Sequence, residues 1–182
     1  RHYRRILEDV PKHPEALFNT GIALQHQGDP ARENEAWKAY LDFFDRGQQA
    51  IQAVEYLNAN DDFTFRRIQL GPLEIVKRSI TFNPGQTFLD ETAQATLDAI
   101  GRVVARNRKL QLHVVAYADN DAKAAKFRAI GIKRHLTEHF ADISPQRIKP
   151  SWFGVSEKVQ IEDGTHQLES SIRLFATIID ES

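Results

Sequence analysis

The chain has 182 residues, of which 41% are hydrophobic and 27% are charged, a balance typical of globular domains. This length suffices for one ordinary domain or two small ones. The net charge of −1 argues against an overall basic field that would attract nucleic acid. No segment approaches the roughly 18 consecutive apolar residues of a membrane-spanning helix, so we expect no membrane span.

Several classes of chemistry are excluded or disfavoured by what the sequence lacks. The absence of cysteine rules out disulfide bonds and cysteine-liganded metal sites. No phosphate-binding loop, Gly-rich dinucleotide turn or nucleophile elbow occurs, so we expect no cofactor and no enzymatic activity. The chain has no methionine and begins at Arg1 inside a helical pattern. We therefore expect it to be a fragment of a longer protein.

The first sixty residues have a helical pattern that repeats every 34 residues, since Tyr3 aligns with Trp37 and Leu7 with Leu41. Apolar residues after Trp37 recur at the i, i+3, i+4 and i+7 positions that define one face of a helix. Gly21 leaves room for a neighbouring helix to approach closely. We therefore predict an all-α segment of paired helices over residues 1–60.

This period and these residue types resemble the tetratricopeptide repeat family. One departure is Glu33, which stands near the start of a helix where the family has a small residue. The resemblance implies stacked helical hairpins that bind a protein partner. The alternative is a helical extension that only packs on the neighbouring domain. Under the first interpretation, the protein-docking residues are Leu17, Leu24, Trp37 and Tyr40.

After residue 60 the apolar period changes from 3.6 to 2, which indicates a second domain over residues 61–182. Strands and helices alternate there in the order β-α-β-α-β-β, which predicts an α+β fold whose mixed sheet has helices on one face. In chain order, the predicted elements are a hairpin in 63–82 around Gly71-Pro72, a helix starting at Asp90, a strand at 109–118, a helix at about 122–140, a strand at 147–154, a polar loop at 154–170 and a last strand at 170–179.

Two stretches of the segment Leu70–Ile179 form a pattern, namely "AYAD", which ends at Asp119, and "RAIGIKRHL", which begins with Arg128. The segment resembles the OmpA-like domain, a periplasmic peptidoglycan-binding module of outer-membrane proteins, lipoproteins and flagellar stators. In this family G-H-T-D stands in place of "AYAD", and an arginine stands at the position of Arg128. The resemblance implies a periplasmic location in a Gram-negative cell envelope. It also implies that Asp119 and Arg128 hold the diaminopimelate of the peptidoglycan stem peptide, with Tyr117 and Asn120 in support.

Two hypotheses remain for this site, because only nine positions separate Asp119 from Arg128, fewer than the family has. In the first, the chain still binds peptidoglycan through a reduced site. In the second, a degenerate OmpA-like domain has lost that ligand and serves as a protein–protein scaffold. Under the second hypothesis Asp119 caps a helix and Arg128 is solvated or salt-bridged.

A third pattern is "HLTEH", which fits the H-x-x-E-H arrangement of some zinc proteases. On a helix, His135 and His139 lie four residues apart on one face and could together chelate a metal. No third ligand is evident from the sequence. We therefore expect no metal site, and we interpret the two histidines as surface residues of the last helical turns.

Overall fold

The computed structural model describes residues 2–83, 85–161 and 164–179, and these residues form two compact units. The described residues of the first unit belong to 1–67, 75–77 and 161–163, and those of the second to 68–74, 78–160 and 164–182. No helix among these residues combines the length and apolar character that crossing a bilayer requires.

The first unit contains four helices joined by short turns. Pro14 and Pro30 each occupy the first position of a helix, where the missing N–H costs nothing, and Asp29 caps the second of these helices by accepting from the Arg32 N–H at 3.2 Å. The second helix packs against the first and third, and the third packs against the fourth. The four helices are α1 (His2–Asp9), α2 (Pro14–Gln25), α3 (Pro30–Leu41) and α4 (Gln48–Ala59).

Trp37 is the centre of the first unit's core and has no exposed surface. A Cβ added at Gly21 would lie 2.5 Å from the Trp37 ring, so the indole occupies the space that any larger residue would need. The buried Glu33 accepts a hydrogen bond from Trp37 Nε1 at 3.0 Å. This bond explains why a carboxylate is tolerated at that position, since it satisfies the indole N–H inside the core.

A five-stranded sheet in the order β2-β1-β7-β3-β4, most of which belongs to the second unit, confirms the predicted mixed sheet with helices. Strand β3 is antiparallel to β7 and parallel to β4. The elements are β1 (Phe65–Leu70), β2 (Leu73–Arg78), α5 (Glu91–Arg106), β3 (Leu110–Ala118), α6 (Ala122–His139), β4 (Ile148–Phe153), β5 (Glu157–Ile161), β6 (Gly164–Leu168) and β7 (Ser170–Ile178).

Strand β3 shows how helices cover one face of this sheet. Its alternate residues from Leu110 to Ala118 are buried, whereas the residues between them are half-buried. Helices α5 and α6 both pack against β3, and α6 also packs against β4. The alternation of apolar residues in the sequence of β3 therefore corresponds to a sheet with one covered face and one open face.

Two segments differ from the sequence-based prediction. The second run of the predicted 63–82 hairpin is a strand only as far as Arg78. The Arg78 carbonyl accepts a hydrogen bond from the Thr96 hydroxyl of α5 at 3.2 Å, so a helix side chain supplies the donor that a neighbouring strand would otherwise supply. The predicted polar loop at 154–170 contains the hairpin of β5 and β6, which forms its own two-stranded sheet. Its half-buried residues alternate along both strands, a weak period of 2 that polar side chains obscure.

Candidate functional site

The candidate site lies where the parallel strands β3 and β4 end and helix α6 begins. The chain turns sharply at Asn120, whose φ is +54°, and Asp121 then caps α6 by accepting from the Ala124 N–H at 2.8 Å. A Cβ added at Gly154, just after β4, would lie 3.0 Å from the Ala122 side chain. The close approach of these segments places the start of α6, which the Asp121 carboxylate caps, beside both strand ends.

Arg128, one of the two predicted ligand residues, is only 4% exposed. Its Nε donates to the Gln86 carbonyl at 3.1 Å, and its Nη1 donates to the Ser170 hydroxyl at 2.9 Å. The guanidinium lies over the ring of Phe82, 4.7 Å from the centroid. Its Nη2 makes no hydrogen bond to any residue that the structure describes. Arg128 is therefore not a solvated surface arginine, and its Nη2 is left without an acceptor among the described residues.

The charge of Arg128 is not neutralised by direct contact. Burial lowers the pKa of the guanidinium, and the carboxylate of Asp121 acts in the opposite direction, but no described carboxylate lies within ion-pair distance. Arginine nonetheless stays protonated in proteins. A buried cation held only by a carbonyl, a hydroxyl and an aromatic ring is costly, and an incoming carboxylate would relieve that cost.

Asp119 is exposed and lies at the end of β3. Its Oδ2 accepts from Asn120 Nδ2 at 2.7 Å, and its backbone N–H donates to the Glu169 carbonyl at 2.7 Å. It does not cap α6, because Asp121 does so, and within the described ranges it forms no ion pair with Arg128. The Asp119 carboxylate is therefore open to solvent. The Asn120 side chain orients the carboxylate, and the hydrogen bond to Glu169 fixes the backbone of Asp119.

Tyr117 is half-buried on the open face of the sheet, where its ring stacks on Phe153 of β4 with centroids 5.5 Å apart. The two residues are paired partners in the parallel ladder. Sequence reasoning missed Gln86 and Ser170, which hold Arg128. A signal existed for Ser170, since it opens the last strand and pairs with Ala118 at the end of β3.

The four predicted docking residues of the helical unit lie in its interior. The structure buries Leu17, Leu24, Trp37 and Tyr40, and each has less than a tenth of its surface exposed. A side chain in this position packs the helices together and does not present itself to a partner. Any partner would have to contact exposed residues of the same helices.

Of the two histidines of "HLTEH", His139 is exposed as expected, whereas His135 is buried. His135 is buried and its Nε2 lies 2.9 Å from Asp98 Oδ1 of α5, while His139 stacks on the His135 ring with centroids 4.2 Å apart. His139 Nδ1 lies 2.8 Å from the His135 carbonyl oxygen. The described part of the chain holds no cluster of three or more histidine, cysteine, aspartate or glutamate residues suited to a metal.

Comparison with known proteins gives distant structural neighbours only. No family model matches the chain, and no curated protein matches it. The periplasmic domain of Helicobacter pylori MotB has 13% sequence identity and a TM-score of 0.47, with 64% of this chain and 82% of that chain covered. A MotB-like protein from Desulfovibrio vulgaris has 12% identity and a TM-score of 0.39, with 70% and 77% covered. Overlaps this weak carry no argument about the function of this chain.

Proposed function

We propose that this chain is a non-enzymatic protein of a Gram-negative cell envelope that binds the peptidoglycan stem peptide through Asp119 and Arg128. The observation that best supports this proposal is the state of Arg128, a buried guanidinium with an unused Nη2 and no carboxylate partner among the described residues. The periplasmic location follows from the same proposal, which begins from the resemblance of Leu70–Ile179 to OmpA-like domains.

The ligand chemistry matches the two side chains. Diaminopimelate carries carboxylates and an ammonium group, so a carboxylate would accept from Arg128 Nη2 and from N–H groups of the first turn of α6. The ammonium group would bind the exposed Asp119, whose orientation Asn120 fixes through its 2.7 Å hydrogen bond. Tyr117, two positions before Asp119, lies on the open face of the sheet, opposite to α6, and would contact the ligand only beside Asp119.

The expected affinity of one site is modest. A charged hydrogen bond contributes about 1.5–3 kcal/mol, so each of the two contacts accounts for about 10-fold to 100-fold in affinity. The cell wall is a polymer that presents the same stem peptide many times. Simultaneous binding by neighbouring copies of the protein would raise the overall strength of attachment.

A second candidate function is that of a scaffold that no longer binds peptidoglycan. The observation in its favour is that the Gln86 carbonyl and the Ser170 hydroxyl already occupy Arg128 Nε and Nη1. In that role Arg128 ties the segment before α5 and the start of β7 to helix α6. The docking of a protein partner by helices α1–α4 is part of both candidates, and it would involve their exposed residues.

Calorimetric titration with a diaminopimelate-containing muropeptide tests the proposal. We expect saturable binding that Arg128→Ala abolishes and Asp119→Asn weakens about tenfold. The matched control is Arg134→Ala, which removes an exposed arginine from the same helix and should leave binding unchanged. A muropeptide with lysine in place of diaminopimelate, which lacks one carboxylate, should bind more weakly. No saturable heat from the parent chain near millimolar ligand would favour the scaffold.

A further inference from the structure

The outer face of helix α6 combines positive charge with exposed apolar side chains. Lys123, Lys126 and Arg134 are exposed on it, as are Phe127 and Ile130. Strand β4 extends this surface through Trp152, because Lys126 Nζ lies 5.4 Å from the centroid of its ring. We call these six residues the basic–apolar face. None of them is among the residues assigned to the ligand site, so an inference from this face is independent of the proposed function.

The basic–apolar face has a net positive charge. Within the described ranges, neither lysine nor Arg134 forms an ion pair. Glu138 lies four residues after Arg134 on the same side of the helix and offsets part of that charge, so the net positive charge rests mainly on Lys123 and Lys126. Because the whole chain carries a net charge of only −1, this face differs in sign from the average surface. Its charge complements an anionic partner.

The three apolar side chains of the basic–apolar face are each more than a third exposed. Phe127 is 51% exposed, Ile130 is 42% exposed and Trp152 is 38% exposed. Lys123 Nζ lies 6.0 Å from the centroid of the Phe127 ring, so each lysine is next to an aromatic ring. A cluster of this kind, rimmed by cations, marks an interaction surface.

We propose that the basic–apolar face binds the surface of an anionic lipid bilayer. Five of the six side chains project from the outer side of one helix, with Trp152 of β4 beside Lys126, and this arrangement is not the groove that a bound peptide would need. A bilayer interface accepts such an arrangement, since aromatic and aliphatic groups enter the headgroup layer while lysine and arginine remain at the phosphate level. The helix lies flat on the membrane and does not cross it.

Vesicle sedimentation of the full chain tests this proposal. Vesicles of phosphatidylglycerol and phosphatidylethanolamine should bind the protein, and vesicles of phosphatidylcholine alone should bind it far less. Each lysine near an anionic surface contributes about fivefold to partitioning. We therefore expect Lys123→Glu with Lys126→Glu to lower binding at least ~25-fold. The matched control is Arg102→Glu with Lys109→Glu, which makes the same charge change at exposed positions elsewhere on the second unit and should have little effect.

Insertion of the apolar groups is tested separately by fluorescence. Trp152 emission should shift to the blue on binding, and the difference between the parent and Trp152→Phe isolates that signal from buried Trp37. Phe127→Ser with Ile130→Ser, checked for folding by circular dichroism, should weaken binding and reduce the shift. Equal binding to neutral vesicles, no binding to anionic vesicles, an equal loss in the charge control, or binding without the shift would each overturn the proposal.

Discussion

Two buried arginines hold opposite ends of strand β3, and they differ in how completely the chain satisfies them. At the start of the strand, Arg147 Nε donates to the Leu110 carbonyl at 2.9 Å, and Nη1 donates to the Asp142 carbonyl at 3.2 Å. Its Nη2 donates to the carbonyls of Val104 and Asn107, both at 2.6 Å. At the other end, Arg128 has one carbonyl, one hydroxyl and a ring.

The number of hydrogen bonds that each buried guanidinium makes distinguishes an arginine with a structural role from one that is a candidate for ligand binding. Every nitrogen of the Arg147 guanidinium has an acceptor. The carbonyls of Val104 and Asn107 belong to the end of α5, where a cation is favourable, whereas Leu110 opens β3 and Asp142 follows α6. Burial lowers the pKa of both arginines; the like-charged Arg108 lowers the pKa of Arg147 further, whereas the acidic Asp121 opposes the lowering at Arg128. Arg147 therefore serves the fold, whereas Arg128 has one nitrogen without an acceptor among the described residues.

The largest effect that we expect comes from Arg147→Met. The substitution keeps much of the side-chain volume but leaves four buried or half-buried carbonyls without their donor, so we expect the second unit to lose about 3–5 kcal/mol of stability. Arg147→Lys, which keeps the charge but not the planar fork, should recover part of that loss. Urea unfolding followed by circular dichroism measures both variants. A loss of stability below about 1 kcal/mol in Arg147→Met would contradict the structural role that we assign to Arg147.

Two glycine-to-alanine substitutions test whether the packing near Arg147 is tighter than the packing near Arg128. A Cβ added at Gly101 of α5 would collide with the Phe140 ring, whereas one added at Gly131 of α6 would meet only the Thr87 carbonyl, at 3.9 Å. We expect Gly101→Ala to cost about 1–3 kcal/mol through overpacking. Gly131→Ala should be neutral or stabilising by up to about 1 kcal/mol, because alanine favours the helix. Equal losses in thermal unfolding would mean that the Arg128 end is packed as tightly as the other.

The Arg128→Met substitution should affect stability much less than its counterpart at Arg147. It removes a buried cation without a carboxylate partner and leaves one carbonyl and one hydroxyl unpaired, so the gains and losses nearly cancel, and we expect a change within about 1.5 kcal/mol. The same variant should abolish muropeptide binding. A loss comparable to that of Arg147→Met, in the same urea experiment, would assign Arg128 a purely structural role.

The sequence predicted the order of helices and strands well because the apolar periods are strong where a single face is buried. Strand β3 and helix α6 both lie within a residue or so of their predicted bounds. The β5–β6 hairpin was missed because its buried residues alternate with polar ones and bury little surface. Family resemblance singled out Arg128 as a candidate, and Ser170 could have been noticed as the first residue of the last strand. No local pattern could reveal Gln86, which lies 42 residues away from Arg128 along the chain.

The smallest effect that we expect is also the most discriminating, and it comes from Ser170→Ala. The variant removes the acceptor of Arg128 Nη1 and should cost about 1 kcal/mol of stability, the contribution of one such hydrogen bond. Nη1 and Nη2 would then both be available to a carboxylate, which could bind through two parallel hydrogen bonds. We therefore expect muropeptide affinity to rise by about fivefold in calorimetric titration, since the free site is less satisfied. A fall in affinity would mean that the Ser170 hydroxyl itself contacts the ligand or orients Arg128 toward it.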